Sequence, residues 1–128
     1  MAKSKFTLAR NPTFKADVML PDVGGDPVAV GFEFKYRDRI ELASLYAEWG
    51  ERHKALSEQS EVAGIEQFTA LLIDLQVEQL KAVVAGWDIG EEFNDENLRI
   101  LVRSIAATPS AVLAAYSEAF SNARLGNS

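Results

Sequence analysis

The spacing of apolar residues changes once along this chain, and that change constrains the fold more than any other feature. Phe14, Ala16, Val18 and Leu20 alternate with Lys15, Asp17 and Met19. Val28, Val30, Phe32, Phe34 and Tyr36 alternate with Ala29, Gly31, Glu33 and Lys35. A strand turns successive side chains to opposite faces, so each run predicts a strand with one buried face. Between them stands Pro21-Asp22-Val23-Gly24-Gly25-Asp26-Pro27, rich in residues that suit turns and poor in ladder donors. Two such strands around a Gly-rich loop predict a β-hairpin. A lone hairpin is marginal in water, so its apolar face has to be covered by helices or by another chain.

After Tyr36 the spacing becomes helical. Asp38 with Glu41 has capping-box spacing, and Leu42, Leu45, Tyr46, Trp49, His53 and Leu56 then share one face. Gly50 interrupts this run at a cost of about 1 kcal/mol relative to alanine. A second helix is predicted at about Val62 to Ala85. Ile65, Phe68, Leu72 and Leu75 make one stripe, and Ile73, Val77, Leu80, Val84 and Trp87 a neighbouring one. Together the stripes wrap about 240° of the helix, which predicts an element central in its fold or sandwiched in an assembly. Gly86-Trp87-Asp88-Ile89-Gly90 ends it. Asn94 caps a third helix with Leu98, Leu101, Val102 and Ile105 inward. Thr108-Pro109 starts a fourth, as cap and first helical residue, lined by Val112, Leu113, Tyr116 and Phe120 and closed by Gly126. The expected fold class is therefore α+β: an N-terminal β-hairpin at about 13–37 and about four α-helices at about 38–126, in one domain spanning 1–128.

Charge and composition narrow the function. The net charge is −6, from 13 basic and 19 acidic residues, which opposes a protein held on nucleic acid or anionic lipid by bulk charge. The charge is divided unevenly, +1 over residues 1–54 and −7 over 55–128. The acidic excess thus accompanies the most apolar helix, although a solvated helix face explains it equally. The absence of cysteine excludes disulfides, thiolate metal sites and cysteine nucleophiles. No secretory leader and no apolar run of about 20 residues is visible, so a cytoplasmic location is expected.

The residues carry little chemistry. His53 is the only histidine and has no triad or metal-ligand pattern around it. Asp88, Glu91, Glu92, Asp95 and Glu96 cluster, but counting a calcium loop from Asp88 puts Gly90 at the third position and Phe93 at the sixth, and the match fails. Acids placed just before a helix suit its N-terminus. Gly24-Gly25 is too short for a phosphate loop. Lys35-Tyr36-Arg37-Asp38-Arg39 is flanked by Glu33 and Glu41 and reads as a strand-to-helix junction. No catalytic residue, metal ligand or cofactor is expected. The candidate surface for a partner or for self-association is the broad apolar face of Phe68, Leu72, Val77, Leu80 and Trp87, with Trp49 on the first helix; ordinary core packing accounts for the same stripe.

Three blocks carry a resemblance. The first runs from Ala16-Asp17-Val18-Met19-Leu20-Pro21 to Phe32-Glu33-Phe34-Lys35-Tyr36-Arg37. The second is Val83-Val84-Ala85-Gly86-Trp87-Asp88 with Phe93-Asn94-Asp95-Glu96-Asn97-Leu98 and Leu101. The third is Pro109-Ser110-Ala111, Tyr116 and Ala123-Arg124-Leu125-Gly126-Asn127. In this order they resemble the tail assembly chaperones of long-tailed bacteriophages. The motif positions are Gly86, Trp87, Asp88, Phe93, Asn97, Leu98, Pro109, Tyr116, Arg124 and Asn127. Ala107-Thr108 departs from the aromatic that often precedes the proline, and residues 55–64 match nothing in the pattern.

The resemblance implies a non-enzymatic protein of the host cytoplasm, absent from the mature virion. Its partner would be the tape measure protein, kept soluble until the tail tube forms around it. A longer form made by frameshifting would recruit tail tube protein, and a homo-oligomer is a further expectation. Two other readings compete: a small acidic, prophage-encoded regulator or inhibitor on a basic protein surface, and a metal-dependent hydrolase using Asp88 and Glu92.

Overall fold

The computed structural model describes residues 12–22 and 24–125, the last four of these by backbone alone. Strands β1 (Thr13–Leu20) and β2 (Val28–Lys35) form the expected hairpin, antiparallel and in unbroken register from Thr13 opposite Lys35 to Leu20 opposite Val28. Its turn needs Gly24, which sits at φ 77°, a conformation that only glycine adopts without strain. The Gly25 N–H donates to the Asp22 carbonyl at 3.1 Å and closes the turn. Val18, Leu20, Phe32 and Phe34 are buried on one face, with Phe14, Ala16 and Val30 half-buried beside them.

Helix α1 (Arg39–Gln59) begins with a complete capping box. The Glu41 N–H donates to Asp38 Oδ1 at 2.8 Å and the Asp38 N–H to Glu41 Oε1 at 3.2 Å. The helix continues through Gly50 without a break. Helix α2 spans Ile65–Val83, a shorter element than the predicted Val62 to Ala85. Beyond it the chain turns extended and forms β3 (Val84–Trp87), antiparallel to β2, giving a sheet of order β1-β2-β3. Val84 and Trp87 therefore do not belong to the α2 stripe, and the part after residue 37 is not wholly helical. The correction has a tertiary cause. Val84 pairs with Phe34, Gly86 with Glu33 and Trp87 with Phe32, and these contacts supply ladder partners that periodicity cannot reveal in four residues.

Helices α3 (Asp95–Ser104) and α4 (Thr108–Leu125) complete the fold. Asn94 caps α3 by accepting the Asn97 N–H at 2.8 Å. Helix α4 begins one residue before the predicted first helical residue, Pro109. The Ala111 N–H donates to the Ala107 carbonyl at 3.0 Å, so Thr108 is already helical. The Thr108 hydroxyl is buried without a protein partner among the described residues. The predicted closing residue Gly126 lies outside those residues.

One cluster holds the sheet to the helices. Phe32 and Phe34 of the sheet meet Leu80 and Val83 of α2, Leu98 and Val102 of α3, and Val112, Tyr116 and Phe120 of α4, with Leu42 and Trp49 of α1 joining it. Tyr116 lies 5.4 Å from Phe34 and 5.8 Å from Phe14, ring centre to ring centre. The basic junction closes the far end of α2. Arg37 Nε and Nη2 donate to the Ala82 carbonyl at 2.9 and 2.7 Å, and Lys35 Nζ donates to the Lys81 carbonyl at 3.1 Å. These are last-turn carbonyls without intrahelical partners, at the negative end of the helix dipole.

Candidate partner-binding surface

Helix α2 is apolar over most of its circumference but is packed along only part of its length. Leu75, Val77, Leu80 and Val83 in its second half are buried. In the first half Ile65 is 82% exposed, Thr69 and Ala70 are exposed, and Phe68, Leu72 and Ile73 are half-buried. The wide apolar arc therefore serves two environments, core at one end and surface at the other.

Two clefts flank the exposed half. The larger, about 570 Å³, has Ile65, Thr69, Ala70 and Ile73 of α2 as its floor, with Glu66 beside them and Arg99 and Arg103 of α3 on the opposite rim. Arg99 and Arg103 stand one helical turn apart, so both guanidinium groups reach the same side. Arg99 is held by Asp74 at 2.7 Å, and Arg103 has no ion-pair partner among the described residues. The smaller cleft, about 170 Å³, lies between α1 and α2 against Arg52, Ala55, Leu56, Leu71 and Leu75. An ion pair from Arg52 to Glu78 closes one side. An apolar floor with a basic rim, on a chain of net charge −6, suits an amphipathic segment that carries acids along one edge.

The predicted surface residues divide accordingly. Val77, Leu80 and Trp49 lie in the core, Trp87 is half-buried on β3, and only Phe68 and Leu72 stand in the exposed half of α2. Ile65, Ala70, Arg99 and Arg103, outside the predicted set, line the open cleft beside this half. The available signal was the four-residue spacing of Ile65, Thr69 and Ile73, matched by that of Arg99 and Arg103.

The motif positions fold the chain between β3 and α3. The Asp88 carboxylate accepts the Gly31 N–H at 2.9 Å, and the Asp88 N–H donates to the Gly31 carbonyl at 2.9 Å. A methyl group on Gly31 would stand 2.7 Å from Asp88 Oδ2, so a larger residue there would push the carboxylate aside. Trp87 Nε1 donates to the Glu91 carbonyl at 2.8 Å, and its ring meets Phe93 edge-on at 5.0 Å. Asn97 Nδ2 donates to the Glu92 carbonyl at 2.8 Å, and Leu98 is fully buried. Pro109 is buried. Tyr116 donates its hydroxyl to the Lys35 carbonyl at 3.0 Å, and burial pushes its pKa up to about 12. The Arg124 side chain and Asn127 lie outside the described residues.

Two of the five acids that suggested a metal site are engaged otherwise: Asp88 with Gly31, and Asp95 with Lys81 at 3.0 Å. Among the described residues no group of three or more histidines, cysteines, aspartates or glutamates is arranged to hold a metal ion. His53 Nε2 lies 3.0 Å from Nε2 of the buried Gln79. No single helix among the described residues is long and apolar enough to cross a membrane.

These observations define a small α+β domain: a three-stranded antiparallel sheet covered by helices, with Asp88, Asn97 and Tyr116 of the motif engaged in internal hydrogen bonds and an apolar groove left outside. The chain belongs to the phage tail assembly chaperone family, whose profile matches residues 1–127. No curated protein and no solved structure gives a match.

Proposed function

We propose that this protein is a non-enzymatic holder of the phage tape measure protein, keeping that long helical chain soluble in the host cytoplasm until tail tube subunits assemble around it. Family membership supports the setting, tail assembly with phage tail proteins as partners. The observation that carries the reading is the groove beside the first half of α2, where Ile65 and Ala70 stand open and half-buried Ile73 continues the floor between α2 and α3. An amphipathic helix laid in such a groove buries its apolar stripe and places its acids near Arg99 and Arg103. A longer, frameshifted form would bring tail tube protein to the same complex.

Co-expression with the tape measure protein tests this. The native chain is expected to hold the partner in the supernatant. I65E and A70E, both at exposed positions, are expected to send most of it to the pellet while their own far-UV circular dichroism stays native. Partner solubility unchanged by folded I65E and A70E would rule the groove out.

A further inference from the structure

The two edges of the sheet are built differently. Strand β3 is four residues long, and its pairing with β2 is interrupted by a register shift at Glu33 and Phe34. Short, irregular edges resist pairing with other chains. Strand β1 is eight residues long, has no internal proline or glycine, and is in unbroken register with β2. Among the described residues its outer edge pairs with no strand. On the covered face Phe14 and Ala16 remain half-buried at that edge, whereas Val18 and Leu20 are buried. On the open face the edge carries Lys15, Asp17 and Met19, with Met19 57% exposed.

The charges on β1 select a partner. In an antiparallel pair, directly opposite residues share a face, so a continuous sheet requires odd positions to meet odd and even to meet even. If β1 meets a second β1 about a two-fold axis at Ala16, Lys15 of each copy faces Asp17 of the other. Phe14 then faces Val18, and Thr13 faces Met19, over almost the whole strand. Moving the axis by one residue toward either end places Lys15 against Lys15 or Asp17 against Asp17. Opposite charges across a strand pair favour pairing and like charges oppose it. We infer that β1 is a self-association edge, taking β1 of a second copy antiparallel in the Ala16-centred register and merging the two sheets into one. The contact is isologous, so it closes as a dimer. It lies on a different element from the groove and stands independently of the tape measure reading.

Light scattering of the full chain over a range of concentrations tests it. The native protein is expected at twice its 14.1 kDa mass. D17K, whose neighbour on β2 is Gly31, puts two bases on the edge and is expected to weaken self-association about tenfold or more. K15D puts two acids there and is expected to do the same. An equimolar mixture of the two is expected to recover the dimer mass, as is the double variant K15D/D17K. Circular dichroism melting verifies that each variant is folded. Lys15 also faces Glu33 on β2, so if K15D does not fold, D17K and the double variant decide. A native chain that stays monomeric at about 0.5 mM, well above the Kd of any stable dimer, overturns the inference. So does a folded D17K that dimerises as the native chain does, or a double variant that fails to recover the dimer.

Discussion

Tyr116 shows how one side chain links burial, hydrogen bonding and pH response. It is fully buried among Phe14, Phe34 and Phe120, and its hydroxyl donates to the Lys35 carbonyl at the end of β2. Ionising it would place an unpaired charge in the core, which is why its pKa rises from 10.0 to about 12. The folded state therefore holds this proton more tightly than the unfolded state. The stability tied to the neutral phenol is complete below the unfolded pKa near 10 and is lost as pH rises through the folded value near 12. Over that window the loss amounts to roughly 2–3 kcal/mol. Urea melts of native and Y116F chains between neutral and strongly alkaline pH check this. Y116F is expected to cost about 1 kcal/mol at neutral pH, through the unpaired Lys35 carbonyl, and to remove most of the alkaline decline. An equally steep decline in Y116F would place its origin elsewhere.

At the level of elements, strand β3 is held by its pairing with β2 and by one close approach beyond its end. The segment after α2 could continue as helix or turn; what holds it extended is pairing with β2, and Asp88 completes that pairing by clasping Gly31 through both its backbone and its carboxylate. Alanine is ordinarily favoured over glycine inside a strand by about 0.5–1 kcal/mol. At position 31 the displaced charge-assisted hydrogen bond, worth about 1.5–3 kcal/mol in general and less at an exposed site, outweighs that gain. G31A is therefore expected to destabilise the native chain by about 1 kcal/mol, and to be neutral or stabilising in a D88A background. Denaturant melts of the four chains close this cycle. A G31A cost that persists unchanged without the Asp88 carboxylate would show that the clasp is not its cause. The junction at Arg37 works in a similar way on α2, its forked donors occupying the Ala82 carbonyl where the helix gives way to β3.

At the level of the whole molecule, sheet and helices share one core. The inner face of the hairpin is covered by α4 through Tyr116 and Phe120 and by α2 through Leu80 and Val83. A chain organised this way is expected to unfold in one cooperative transition. The fluorescence of Trp49 on α1 and Trp87 on β3 should report the same midpoint as the far-UV signal of the helices. Two separated midpoints would mean that hairpin and helices fold as independent units.

Much of this architecture is legible in the residues alone because its signals are local. The alternation from Phe14 to Leu20 and from Val28 to Tyr36 specifies two half-buried strands. Gly24 marks the one positive φ among the described residues, and Asp38 with Glu41 and Asn94 mark two helix starts by side chains that bond their own backbone. The resemblance of the motif blocks likewise pointed to the family that the profile shows. Tertiary structure decided the rest. Val84 to Trp87 became a strand because β2 lay alongside, and no periodicity over four residues could announce it. The apolar arc of α2 looked uniform, yet Val77 and Leu80 fell in the core while Ile65 and Ala70 stayed open. A one-dimensional pattern records which side of a helix is apolar, whereas how far along its axis neighbouring elements cover it depends on where α1, α3 and the sheet end in space. The sequence by itself therefore determined the hairpin, the four helices and the caps at Asp38 and Asn94; the third strand, and which apolar residues became core and which remained surface, followed only from the packing of those elements against one another.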